Sequence, residues 1–266
     1  MVQKISSLVF VLFLLQAGRW AFAADKSRYH LFRPTPAAEM REFVTDRPDR
    51  TESPISVDAG HLQLETDLIS FTRSQDQETL VINGMNLKVG LTNNSDLQII
   101  VPTFLRRGDA SGVGNLTVRY KINLFGNDQG SSGLAVMPYF TFPTQSRVLG
   151  VARSEAGVIL PYSFDAPAGF SFGGMFQYDK LRNDLDNGFH SQLIASWAIS
   201  RNVVNDIEAY FEFFSQTEVG SDWVATVDGG FIFPLNEALR SDVGANIGVT
   251  ESAEDFTGFL GLSLRL

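Results

Sequence analysis

The chain has 266 residues, a formal charge of −9, 44% hydrophobic residues, 22 phenylalanines and no cysteine. This apolar content excludes whole-chain disorder, and the acidic balance excludes a nucleic-acid binder, which needs a basic face. Without cysteine there are no disulfides, thiolate metal ligands, cysteine nucleophile or lipidated N-terminal cysteine.

Residues 1–23 read as a cleaved signal peptide. Lys4 supplies the positive start, Leu8 to Leu15 the apolar run, and Ala21-Phe22-Ala23 the cleavage motif. The run is too short for a spanning helix, which needs about 20 apolar residues. Cleavage leaves a chain that starts at Ala24 and, without Lys4 and Arg19, carries −11. No later stretch is apolar enough for a membrane helix. An exported chain of this kind is either soluble outside the inner membrane or a β-barrel, which satisfies its own backbone in lipid.

Residues 24–57 are polar and bear several prolines. Thr35 as N-cap, Pro36 at the first position and Glu39 in the first turn predict a short helix to about Phe43. Asp46 to Pro54 is expected to be an extended, charged linker. This N-terminal helix or extended segment either plugs a lumen, hangs in the periplasm and touches a partner, or is a disordered leader.

Residues 58–266 alternate with period 2, the strand signal. In the clearest case Leu116, Val118, Tyr120, Ile122 and Leu124 oppose Asn115, Thr117, Arg119, Lys121 and Asn123. About twelve strands are expected, near 58–71, 80–91, 96–106, 114–125, 134–142, 155–164, 168–179, 188–199, 203–214, 222–233, 242–250 and 255–266. Most exceed the ~5–6 residues usual in globular sheets and match the ~9–11 of a tilted membrane strand. Connections at 92–95, 165–167 and 200–202 are short, whereas those at 126–133 and 234–241 are not. The alternate set, from 72–79 to 251–254, is mostly longer. The expected fold is an all-β, transmembrane, antiparallel up-and-down β-barrel. A soluble barrel or sandwich shares the alternation with its apolar face inward. Strand length, export without disulfides and aromatics clustered at strand ends favour lipid outside. Pro102, Pro138 and Pro161 fall within expected strands, and in a closed barrel each must sit at a strand end or bulge.

Thr45-Asp46-Arg47-Pro48-Asp49-Arg50-Thr51-Glu52-Ser53-Pro54, followed by Val57-Asp58-Ala59-Gly60-His61-Leu62-Gln63-Leu64-Glu65, resembles the opening of the MetA-pathway of phenol degradation family. Gly90-Leu91-Thr92 before Asp96-Leu97, Gly112-Val113-Gly114-Asn115-Leu116 and Pro143-Thr144-Gln145 are similar to its later motifs. Asn115 stands where aspartate is usual, and Gln145 where glycine is. The resemblance implies an outer-membrane transporter-like barrel for hydrophobic or aromatic compounds, and it supplies no catalytic residues. The C-terminus, with Gly261, Leu264 and Leu266, resembles the signal read by the barrel-assembly machinery, with Leu266 in place of the usual phenylalanine.

The polar strand faces nominate lumen-lining residues: His61, Glu65, Asp67, Lys88, Arg119, Lys121, Glu155, His190, Gln192, Glu208, Glu212, Asp228 and Arg265. In an open pore they set ion preference; in a closed one they pair across the interior. A hydrolase would need a Ser–His–carboxylate set at a rim. His190 and Ser191 are adjacent on a strand and point to opposite faces, and no G-x-S-x-G elbow exists, so no catalytic residues are nominated. No metal site or cofactor is expected: His61 and Glu65 lie roughly 13 Å apart along a strand. The oxygen-rich run from Asn183 to Gly188 lacks calcium-loop spacing and reads as a hairpin turn. The expected role is passive diffusion of small, hydrophobic or aromatic cargo across the outer membrane, with outer-membrane lipids and lipopolysaccharide as surroundings. The alternatives are a closed structural or interaction barrel, or a soluble periplasmic all-β binding protein.

Overall fold

The computed structural model describes residues 26–75, 77–149, 153–182 and 188–266. The signal-peptide reading of residues 1–23 and the predicted turn at 183–187 lie outside the described residues. Thirteen strands occur among the described residues. They are β1 (Leu62–Ser74), β2 (Gln77–Thr92), β3 (Ser95–Arg107), β4 (Ala110–Gly112), β5 (Leu116–Phe125), β6 (Ser132–Phe142), β7 (Glu155–Ala166), β8 (Phe170–Arg182), β9 (Phe189–Val204), β10 (Ile207–Glu218), β11 (Val224–Asn236), β12 (Leu239–Gly248) and β13 (Phe256–Arg265). Twelve are long. β4 is a three-residue lip paired to the end of β3.

Each long strand pairs antiparallel with its neighbours in the chain, and β1 pairs with β13, so the sheet closes into a twelve-stranded barrel. Closure leaves no unpaired edge. Leu62 and Leu266 exchange backbone hydrogen bonds at the rim that carries both chain ends, here called the terminal rim. Tight turns at 93–94, 205–206 and 237–238 lie at this rim, with a longer connection at 126–131; the remaining long connections lie at the distal rim. Strands extend further into several connections than expected. The predicted break at 200–202 is continuous β9, and the chain reverses at Asn205 and Asp206, both at positive φ.

The barrel is apolar outside and polar inside. Ile82, Phe140, Leu160, Phe176, Trp197, Phe211, Val243 and Leu260 are exposed, while Gln63, Lys88, Asp96, Gln98, Lys121, Asp179, Glu212 and Asp242 are buried. Each β5 pleat therefore sends Tyr120 and Leu124 outward and Lys121 and Asn123 inward. Stacked or tilted aromatic pairs, Phe164 with Phe172 and Phe231 with Phe233, lie towards the terminal rim. Phe140 and Phe142 pair edge-on towards the distal rim.

One part of the inner wall is apolar. Met137, Ile159, Met175, Ile194 and Phe214 cluster across β6 to β10, with Tyr139 packed against them. The ladder is interrupted beside this cluster. Between β6 and β7 the pairing passes from Leu134↔Tyr162 to Met137↔Ile159, skipping the pairs at Ala135 and Val136. Between β5 and β6 it passes from Arg119↔Tyr139 to Ile122↔Val136. Pro138 and Pro161 supply no N–H to these ladders, so they sit within strands at gaps in the pairing rather than at strand ends. Pro102 lies where β3 leaves β5, and its carbonyl accepts the Gly114 N–H.

The segment before β1 departs from two expectations. The helix predicted from Thr35 to Phe43 is a single 3₁₀ turn, Ala37–Glu39, and Met40 is already extended. Tertiary bonds take over there: the Arg41 N–H donates to Asp58 Oδ2, and Glu39 accepts from the Tyr29 hydroxyl. The predicted extended linker at Asp46 to Pro54 instead enters the barrel.

Candidate functional site: a charged plug in the lumen

Residues 26–44 and 55–61 lie across the terminal rim. The Leu31 N–H donates to Leu91 O, the Gly60 N–H to Gly90 O, and the Gly90 N–H to His61 O. Gly90 is required here, because a Cβ would stand 1.9 Å from Asp58 O. Arg41 ties this layer down by binding Asp128, Asp58, Ser56 O and Asn93 O. Burial raises the Asp128 carboxyl, but hydrogen bonds from Lys26, Asn93 and Arg41 outweigh it and hold the group below its usual range.

Between these two stretches, residues 45–54 turn up into the lumen. Asp46 receives Lys88 at 2.5 Å and Lys121 at 2.9 Å, and Lys88 also meets Glu65 at 2.5 Å. Burial pushes the Asp46 carboxyl up, yet the ammonium groups of Lys121 and Lys88 prevail and keep it far below the ordinary range. Arg47 bridges Asp67 on β1 and Asp242 on β12, at 2.5 and 2.7 Å. The Arg50 N–H donates to Glu212, while its guanidinium lies over Phe214 and reaches Glu254 at 3.1 Å. Since Glu254 belongs to the distal connection 249–255, the Arg50 side chain extends the plug's contacts from mid-barrel to the distal rim. The Thr51 hydroxyl bonds Glu212 and Ser196, and Glu52 pairs with Arg119. Burial raises Glu52 to about 6 despite Arg119. On the return, Lys121 donates to Ile55 O and Asn123 to Pro54 O.

Of the residues nominated from sequence, Glu65, Asp67, Lys88, Arg119, Lys121 and Glu212 are brought together around this plug. Asp228 lies opposite Glu212 in the ladder. Gln192 bonds Asp179 in a separate distal group with Tyr139 and Gln177. His190 contacts Glu218 at 2.8 Å near the distal end of β9. Glu155 opens β7 at that rim, opposite Leu181. His61 lies before β1 and bonds Thr35 O at the terminal rim. Glu208 and Arg265 line a cavity of about 740 Å³ open at the terminal rim, where Arg265 also donates to Arg41 O and covers Phe43. A second space of about 370 Å³ continues beside the plug as far as Thr51 and Pro54. Not nominated from sequence were Asp46, Arg47, Arg50, Thr51 and Glu52, together with Asp96, Asp179, Asp242 and Asn246. The alternation of charge across Asp46 to Glu52, flanked by prolines, is the signal that marks the plug.

With this geometry established, comparison with known proteins is informative. A family model described as "Putative MetA-pathway of phenol degradation" matches residues 45–266. The chain belongs to this family. The match begins at the first residue of the plug, so plug and barrel fall within one family unit. Comparison with curated proteins finds no match. Among solved structures, the COG4313 outer membrane channel from Pseudomonas putida F1 is similar at 13% identity and TM-score 0.63, covering 84% of this chain and 100% of that one. The NanC porin is similar at 10% identity and TM-score 0.57, covering 77% and 100%. The fold is therefore that of the outer-membrane porin-like barrels.

Proposed function

We propose that this protein is an outer-membrane channel for small hydrophobic or aromatic molecules, which diffuse into the distal mouth and leave through the wall between β6 and β7. The carrying observation is the coincidence of the apolar lumen patch Met137, Ile159, Met175, Ile194 and Phe214 with the ladder gap at Pro138 and Pro161. On the outer surface beside this seam, Val158 and Leu160 of β7 begin an apolar groove of about 370 Å³ that continues over Phe176 on β8 and Leu193 and Ala195 on β9. An apolar solute leaving at the seam thus meets apolar surface on the β7 side of it. The plug blocks the axial route with charged groups, which favours lateral exit for apolar cargo. The apolar exterior with its aromatic rims suits outer-membrane lipid and lipopolysaccharide. In this reading the terminal rim faces the periplasm, and the closing strand β13 is the part offered to the barrel-assembly machinery.

Proteoliposomes test this. Uptake of a radiolabelled aromatic hydrocarbon should exceed that of empty vesicles, should slow in Pro161→Val, and should not extend to sugars. Equal uptake by loaded and empty vesicles would sink the proposal. It would promote a second reading, a closed structural barrel, which the buried ion pairs between plug and wall favour.

A further inference from the structure

The groove on the outer wall has a cation at its distal end. Phe176, Tyr178 and Lys180 share the outward face of β8, and their ladder partners on β9 are Ala195, Leu193 and Ser191. Leu160 of β7 stands beside Phe176, and Ser215 of β10 beside Ala195. One outward row therefore crosses four strands and, at ~4.8 Å between neighbours, covers roughly 14 Å of wall. Ala195 has the smallest side chain of the groove's lining, so the wall is hollow there, and the groove holds about 370 Å³. Phe176, Leu193 and Leu160 are exposed around it. The hollow has the width and the apolar lining that a stretch of alkyl chain requires.

Towards the distal rim the same face turns polar. Lys180 Nζ donates to Ser191 Oγ at 2.8 Å, Ser191 Oγ meets the Tyr178 hydroxyl at 3.0 Å, and the ammonium lies 5.7 Å from the centre of the Tyr178 ring. Among the described residues no carboxylate pairs with Lys180. The adjacent Asp179 faces the lumen, where Tyr139, Gln177 and Gln192 bond it. Trp223 is half-exposed and donates its indole N–H to Ser215 Oγ, which adds an aromatic of the kind found at membrane–water interfaces. The apolar groove thus ends, at headgroup level, in one cation and two hydroxyls. That set is complementary to a phosphate.

We infer that this groove seats an acyl chain of the phosphorylated glycolipid of the outer leaflet, lipopolysaccharide, with one of its phosphates on Lys180, Ser191 and Tyr178. The choice of leaflet rests on the orientation proposed above, in which the terminal rim faces the periplasm and the distal rim the exterior. The lipid covers apolar surface that the described residues leave bare, and it supplies the anion that Lys180 lacks. An acyl chain in this place also occupies the surface that a solute meets on the β7 side of the seam, so lipid and departing cargo compete for it.

The test uses the full protein in detergent, titrated with diphosphoryl lipid A, dephosphorylated lipid A or phosphatidylglycerol, with bound lipid counted by native mass spectrometry. One diphosphoryl lipid A should be retained in preference to the other two. Lys180→Gln should weaken it about fivefold, the worth of one basic residue at an anionic lipid surface, and Lys180→Arg should restore it. Ala195→Phe fills the hollow and should also weaken it. All three substitutions face lipid, and the mobility difference between boiled and unboiled samples verifies that each variant is folded. The inference falls if dephosphorylated lipid A or phosphatidylglycerol binds as well as the diphosphoryl form, or if Lys180→Gln or Ala195→Phe binds it like the parent. These readouts are of binding alone, so vesicles that fail to take up an aromatic hydrocarbon would sink the transport proposal and leave this site standing.

Discussion

Asp46 and Lys88 meet at 2.5 Å inside the barrel, one from the segment before the first strand and the other from the terminal-rim half of β2. Both are buried, and Lys121 completes the group from β5. A charge in such a place is stable only while its partners stay. Asp46→Asn leaves two buried ammonium groups short of a counter-charge and should cost the seated plug roughly 3–5 kcal/mol. The expected result is faster trypsin cleavage after Arg50 and a larger single-channel current in planar bilayers. Unchanged cleavage and current would mean that the plug is held by other contacts.

The Thr51 and Ser196 hydroxyl oxygens lie 2.6 Å apart, and the chain has no native cysteine. Thr51→Cys with Ser196→Cys should therefore cross-link the plug to β9 on mild oxidation. The oxidised protein should resist trypsin at the plug and show the smallest ion current, and reduction should restore both to parental values. A double variant with identical currents in both states would show that the plug does not move during conduction.

Glu52 sets a pH dependence. Its carboxyl is raised from 4.5 to about 6 in the folded chain, so the seated state binds the proton more tightly than the released one. The associated stabilisation, about 2 kcal/mol, is fully present below pH 4.5 and is lost as pH rises past 6. Asp49 is shifted in the same direction. Asp46, held low, loses its contribution only in strong acid. Plug release, read as trypsin sensitivity or ion current, should thus be greater at pH 8 than at pH 5, with Glu52→Gln flattening the difference. The opposite slope would contradict this account.

Gly90 brings its backbone against Asp58 O so closely that Gly90→Ala must displace residues 57–61. The expected cost is roughly 1–3 kcal/mol of anchoring at the terminal rim. Hydrogen exchange should accelerate at Gly60, Gly90 and Leu31 while the β7–β11 amides stay protected. Uniform acceleration around the barrel would show that the damage is global.

The barrel was legible because its signal is repeated in every strand. Tyr120 beside Lys121, or Phe176 beside Gln177, reports local alternation that needs no distant partner. Strand ends were less legible. Ser200 to Asn202 looks like a turn, yet its residues pair with Tyr210, Ala209 and Glu208, and the reversal waits for Asn205 and Asp206. The choice between plug, periplasmic arm and leader was not legible for a different reason. Asp46 to Pro54 has the composition of exposed chain, and its partners are Lys88, Lys121, Asp242 and Glu254. Nothing local indicates that Arg47 will meet a carboxylate 195 residues away. Likewise, period 2 separates Arg119 from Tyr120 but does not say which carboxylate Arg119 meets.

The ordering of these partners constrains how the molecule is made. The plug is synthesised before any strand, but Asp242 and Glu254 lie near the end of the chain. Such distant pairings form late, after many loops have closed. The N-terminal segment must therefore stay solvated and unmated while the strands assemble, and its charged, proline-bearing composition suits that wait. It seats only when β12 and β13 have joined β1, so an occupied lumen is itself a record that the wall was completed.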